Sequence, residues 1–279
     1  MFKILLINGL IIGGIYALIA LGYSLIYRAS GLMTFAQGDM ITLGAYLGLT
    51  FFRIMHLPFF ISFLLTFICA FLVGVLLERG VIRALLDKNV IPIYIVLATI
   101  AVSYIIQNSM QAVFGTTTLR FPQVFGVSTL TIFGITAQTE AYACLLISLA
   151  LMLMLHLFMT KTIFGIAMHG AAMDPMAAES CGLAAAIASI AGMLLGPMYG
   201  VYSTLGSVIG RKGFAGAVIG GYGHIYGAMI GGIILGLIET FVAGYWTGTY
   251  KNLIAYAVLI LFLFIKPTGI FNEQAIHDV

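Results

Sequence analysis

The chain has 279 residues, of which 62% are hydrophobic and 8% charged, with a formal net charge of +3. A soluble domain carries about a quarter charged residues, so there is too little charge here to cover a water-facing surface, and a soluble globular protein is excluded. The small net charge and the lack of a basic run exclude nucleic acid as a partner. The solvent is therefore a lipid bilayer, and helices must satisfy the backbone, because alternating barrel-type segments are absent.

A crossing needs about 20 apolar residues. On that ruler, helices are predicted near 4–27, 32–52, 58–77, 91–113, 141–159, 184–205, 214–238 and 252–265. This is an all-α integral membrane protein with about eight transmembrane or re-entrant helices and broken, glycine-rich segments. It forms one domain over 1–279 with no appended soluble module. The opening Met1-Phe2-Lys3 and its apolar run look like a signal peptide, but the run reaches about Tyr27 and no A-x-A site follows. It reads as a retained first helix.

Within the first spans, Asn8 with Gly9, Gly13 and Gly14 makes a small, polar-tipped helix start. Gln37-Gly38-Asp39 then interrupts a second apolar run. An ionisable group beside a glycine at membrane depth is buried in protein or faces water. Asp39 either caps a helix over 40–52 or lines a path for solute. Residues 78–90 carry Arg79, Arg83 and Lys88 and are expected to be cytoplasmic. Gln107 and Gln111 share a face of the helix over 91–113, where they either bond to another helix or line the path. The stretch 114–140 holds only Arg120, and reads as a partly ordered external loop.

The loop 160–183 then returns to the cytoplasm. Asp174-Pro175 is a good helix start, since Asp caps free N–H groups and Pro suits the first helical position. Gly182 suits the far end. Together they predict a cytoplasmic helix of about two turns over Pro175–Cys181. Lys266 marks a cytoplasmic tail, which places Arg211 and Lys212 at the cytoplasmic edge too. The span 184–205 would then start and finish on one side. Three readings remain for this parity failure: 184–205 is re-entrant or broken at Gly196-Pro197, the following glycine run holds a half-crossing, or a piece of chain is missing.

That glycine run, Gly206–Glu239, places glycines four apart, where a second backbone can approach closely. Gly216, Gly220, Gly223, Gly227 and Gly231 are the expected packing positions, and Glu239, ending the span, is expected at the interface. Cys69, Cys144 and Cys181 are scattered without ligand or redox spacing and read as free thiols.

NGLIIGGIYALIALGYSLIY from Asn8, followed by FAQGDMITLGAY from Phe35, resembles the amino-terminal signature of the membrane permease of branched-chain amino acid ABC importers, the LivH family. LERGVIR at 77–83, IPIYIVLATIAVSYIIQN at 91–108, LHLFMTKTIFGIAM at 155–168, the glycine-rich stretch at 213–239 and KPTGIFNE at 266–273 agree in the same order. The resemblance covers essentially the whole chain. It implies a single ABC-importer permease domain that translocates leucine, isoleucine and valine. The related urea and short-amide permeases share the same motifs. It also implies partners: two ATP-binding subunits holding ATP-Mg, a second LivM-like permease subunit and an extracytoplasmic solute-binding protein, in the bacterial plasma membrane. The 160–183 loop becomes the coupling element, with Gly165, His169, Asp174, Pro175, Ala178 and Gly182 meeting the ATPase. Asn8, Gln37, Asp39, Gln107 and Gln111 are the expected pathway residues.

Two departures stand out. His169 replaces an arginine usual in the family, exchanging a fixed charge for one that titrates near neutrality. The family also continues after Gly182 with on the order of a dozen residues, roughly 18 Å of helix, which this chain lacks before Leu183. That is where the parity count fails, which points to a segment absent from the sequence; a gap that is real in the protein would leave the span after Gly182 truncated.

No G-x-x-x-x-G-K-[ST] loop is present, so energy must come from a partner, and the chain needs no cofactor of its own. No H-E-x-x-H or G-x-S-x-G pattern points to an enzyme. An ion-coupled secondary transporter would show two repeat-related broken helices with paired ion ligands, and Asp39 has no obvious mate.

Overall fold

The structure is a computed structural model that describes residues 2–88, 90–122, 124, 129–132, 135–161, 174–246, 248–266 and 268–271. The long helices are α1 (Phe2–Ser30), α2 (Ala36–Leu49), α3 (Phe59–Leu77), α4 (Pro92–Phe114), α5 (Thr139–Lys161), α6 (Asp174–Tyr199), α7 (Leu205–Gly220), α8 (Ile225–Tyr245) and α9 (Lys251–Ile265). π-helical turns extend α2 over Thr50–Ile54 and α3 over Glu78–Arg83. Among the described residues seven helices are long and apolar enough to cross a membrane, counting α9 together with the 3-10 turn Gly248–Tyr250 that leads into it; α2 and α7 are not among them. The protein is an all-α, multi-pass membrane protein. Its one hairpin among the described residues, β1 (Thr129–Ile132) with β2 (Ile135–Gln138), lies in the stretch expected to be an external loop.

Helices α1, α2, α6, α7 and α8 form the centre, and α3, α4, α5 and α9 flank it. The flanking helices turn Phe60, Leu76, Leu153 and Phe264 outward, as hydrocarbon allows. Lipid supplies no hydrophobic drive between helices, so close backbone contact must hold the centre together. Gly9 and Gly13 of α1 meet α8 at Leu237 and Ile233, while Gly232 and Gly236 of α8 meet Ala17 and Gly13 in return. Gly44 of α2 lies against Ser189 of α6, whose hydroxyl donates to the Met40 carbonyl at 2.8 Å.

These contacts give each element a direction. α1 and α8 run antiparallel, since Gly9 meets Leu237 whereas Gly13 meets Ile233. α3 and α6 do likewise, with Gly74 beside Cys181 and Gly182, and Phe59 near Leu194. Leu119 pairs with Val201, which sets the start of the hairpin-bearing stretch beside the end of α6. One end of the bundle thus carries the hairpin; the other carries Arg28, Arg79 and Arg83.

Three expectations are corrected. Gly182 does not end a short helix. α6 runs unbroken from Asp174 to Tyr199 over 26 residues, about 39 Å at 1.5 Å per residue, and is no truncated span. Gly182 sits inside it because a Cβ there would lie 2.8 Å from Val75 Cγ2 of α3. Nor is 214–238 one helix. The turn Gly221–His224 divides α7 from α8, and Gly221 (φ 110°) and Gly223 (φ 96°) supply the left-handed backbone it needs. Gly223 is therefore a turn residue and no packing position. Finally, Gly196-Pro197 does not make 184–205 re-entrant, because the helix passes Pro197 and stops at Tyr199. The half-crossing is α7, and it restores the alternation of the helices.

Candidate functional site

α7 begins at the depth of α2's first turns. Gly206 and Gly210 lie against Gly38, and a Cβ on Gly210 would sit 2.5 Å from Gly38 Cα. The Gly206 N–H donates to Thr42 Oγ1 at 2.8 Å, so a side chain of α2 satisfies one free donor of the α7 start. This approach brings Ser207 to Asp39.

Asp39, in the first turn of α2, is only 1% exposed. Its Oδ2 accepts from Ser103 Oγ. Its Oδ1 accepts from Gln107 Nε2 at 3.0 Å and from Ser207 Oγ at 3.2 Å. Gln107 Nε2 lies 2.6 Å from Ser207 Oγ as well. Ser103 falls at the midpoint of the 23-residue α4, which places this network near the middle of the membrane.

The network floors an open cavity of about 520 Å³. α4 contributes Ile100, Ser103, Tyr104 and Gln107, and the Thr204–Arg211 segment contributes Thr204, Ser207, Val208 and Arg211. Both sets follow the i, i+3, i+4, i+7 spacing that puts side chains on one helix face. Tyr23 and Phe35 complete the apolar wall. Arg211 lines the same cavity as Asp39, and among the described residues it makes no hydrogen bond or ion pair. The groove carries one carboxylate and one guanidinium.

Lys212 and Glu239 are both 3% exposed. Lys212 Nζ reaches Glu239 Oε1 at 2.6 Å, and the Tyr16 hydroxyl donates to Glu239 Oε2 at 2.9 Å. The expected interfacial placement of Glu239 and edge placement of Lys212 are corrected: each makes the other acceptable inside the bundle. Arg211 is likewise no edge residue, since it lines the mid-depth groove. Glu239 also borders a second cavity of about 500 Å³ toward the hairpin end, with Asn8, Thr129, Gln138, Thr240 and Lys251.

The five expected pathway residues therefore separate. Asp39 and Gln107 share the groove. Gln37, two positions from Asp39 and on the opposite side of α2, donates to the Ala184 carbonyl at 2.8 Å and fills the seam with α6. Gln111 lies one turn beyond Gln107 and does not border the groove, and Asn8 belongs to the second cavity. Asp39 caps nothing, because α2 already begins at Ala36. Of the coupling residues, Gly165 and His169 lie outside the described residues. Asp174, Pro175 and Ala178 occupy the start of α6. Gly216 meets Gly232, Gly220 meets Gly227, and Gly231 meets Gly216 and Gly220. Sequence reading missed Ser103, Ser207 and Arg211 as site residues; the i, i+4 pair Ser103/Gln107 and a cation inside an apolar glycine run were the available signals.

A bundle with a half-crossing helix at its centre and a charged groove at mid-depth defines a polytopic membrane protein built to handle a polar solute. Comparison with known proteins makes this specific. The profile of a family described as the permease component of branched-chain amino acid transport systems matches residues 5–263. The chain belongs to that family.

It is 31% identical over 297 residues to the high-affinity branched-chain amino acid transport system permease protein LivH of Salmonella typhimurium, covering 98% of this chain and 96% of the relative. It is 30% identical over 302 residues to BraD of Pseudomonas aeruginosa, covering 98% and 97%. The probable branched-chain amino acid transport permease protein LivH of Methanocaldococcus jannaschii is 28% identical, covering 96% and 92%. The first alignment, at 297 positions, exceeds the 279 residues of the chain, so that relative carries residues with no counterpart here. No solved structure matches the chain significantly.

Proposed function

We propose that this permease translocates leucine, isoleucine and valine across a bacterial plasma membrane, along a path that includes the Asp39 groove. The observation that carries the reading is a charged groove at mid-membrane depth in a permease component whose full-length relatives bear branched-chain amino acid transport names. Hydrocarbon does not accept an exposed guanidinium there, so a second, LivM-like permease subunit covers the groove and the path runs between the two chains. The end bearing Arg28, Arg79 and Arg83 is cytoplasmic by the excess of basic residues.

Two separate ATP-binding subunits supply the energy with ATP-Mg. They grip the stretch that ends in the first turns of α6, where Gly165, His169, Asp174, Pro175 and Ala178 are the contact residues. Because α6 runs without a break from Asp174 into the centre, a pull on its start is transmitted to α2 and the groove. An extracytoplasmic solute-binding protein delivers the solute at the hairpin end. Uptake of labelled leucine by proteoliposomes holding the assembled complex is expected to require both ATP and the binding protein. Uptake driven by an ion gradient without any ATPase would overturn this reading, and uptake of urea or acetamide in place of leucine would correct its substrate.

A further inference from the structure

We propose that the Asp39–Arg211 groove is a head-group site for the α-amino-acid zwitterion: Asp39 receives the ammonium and Arg211 the carboxylate. This rests on the reading of the chain as an amino acid permease. A carboxylate has about four acceptor positions. Asp39 uses two on Oδ1 and one on Oδ2, for Gln107, Ser207 and Ser103. One position on Oδ2 is left for an ammonium N–H.

Those three donors also fix the carboxylate's orientation before any solute arrives, which lowers the ordering cost of binding. The opposite charge is held differently. Arg211 is exposed to the cavity and none of its bonds falls among the described residues, so its planar fork is ready for a carboxylate. Arg211 and Ser207 stand on one face of α7, so the guanidinium and the Asp39 network open onto the same cavity.

The groove is neutral as a whole. A zwitterion matches it term by term, whereas a cationic or anionic amino acid leaves one charge unpaired, and urea or a short amide leaves two. Ile100, Tyr104 and Val208 give the apolar wall on which a branched side chain lies. The groove is therefore a filter for the α-amino-acid head group, with side-chain choice made against the apolar wall.

The test uses the complete importer with its binding protein in proteoliposomes. Asp39→Asn and Arg211→Gln are each expected to lower ATP-driven leucine uptake about tenfold or more, the effect of one lost charge-assisted contact. ATP hydrolysis stimulated by the loaded binding protein is expected to persist. Arg211→Lys is expected to recover part of the uptake. A second readout does not depend on turnover: in Val208→Cys, leucine slows labelling by a thiol reagent, whereas 4-methylpentanoate and isoamylamine, each lacking one charged group, do not. Unchanged uptake in Asp39→Asn and Arg211→Gln, or equal protection by all three compounds, overturns the head-group site while leaving the transport function standing. Failure of the unmodified complex to take up any branched-chain amino acid would instead remove the functional reading, and this site with it.

Discussion

Lys212 Nζ lies 2.6 Å from Glu239 Oε1, an ion pair that joins α7 to α8 inside the bundle while the Tyr16 hydroxyl holds the other carboxylate oxygen. Removing one partner strands the other charge in a medium that cannot solvate it. Lys212→Met is expected to destabilise the purified protein by about 3–5 kcal/mol, and Lys212→Met with Glu239→Leu to recover most of that loss. Thermal unfolding in detergent checks it. A double-variant loss equal to the sum of the losses in Lys212→Met and Glu239→Leu alone would show that the two groups are not energetically coupled.

Gly220 and Gly227 face each other across α7 and α8 without room for a side chain, each against the other's carbonyl. Leu at either position should overpack the contact by about 1–3 kcal/mol or more and lower both recovery of the assembled complex and leucine uptake. Normal recovery and uptake from both variants would remove the close-packing role.

Gly223 makes a different demand, because it turns with φ 96°. Gly223→Ala is expected to cost about 1–2 kcal/mol through backbone strain alone. Its effect on melting should therefore change little when the neighbouring α8 contact is overpacked by Gly227→Ala, and a strongly non-additive double variant would contradict that account.

Gln107 and Gln111 are one turn apart, yet only Gln107 reaches Asp39. Gln107→Leu removes a donor from a buried carboxylate and should cost about 1–3 kcal/mol, with leucine uptake falling alongside. Gln111→Leu should stay within about 0.5 kcal/mol and leave uptake near normal. Uptake measured side by side in the two variants checks the contrast, and similar losses would place Gln111 in the path as well.

The membrane class and most helices were legible in the sequence because an apolar run of about twenty residues matches the thickness of a bilayer and little else. The number of crossings was not. α7 has 16 residues, under the length of a full span, and its glycines merge with those of α8 into one apolar run; only the turn glycines Gly221 and Gly223 separate them, and glycine was already abundant there. Asp39 and Gln107 were recognisable as polar residues at membrane depth. Arg211 and Lys212 were recognisable as cations in an apolar run, but the carboxylate that pairs with Lys212 and the one that shares a cavity with Arg211 were not. Glu239 is 27 positions from Lys212 and Asp39 is 172 positions from Arg211, and only the fold joins such distant sites. Gln37 misled because adjacency in sequence to Asp39 says nothing about which side of α2 it faces.

The equal and opposite charges of Asp39 and Arg211 bear on the energetics of transport in living cells. Moving one elementary charge through a membrane potential involves about 2.3 kcal/mol per 100 mV. A zwitterion seated between these two residues adds no net charge to the groove. The loaded and empty carriers then feel the same field, so the resting potential neither assists nor opposes the cargo. In the importer proposed above, accumulation against a gradient falls to the ATP-binding subunits, and uptake at fixed ATP is expected to be indifferent to an imposed voltage.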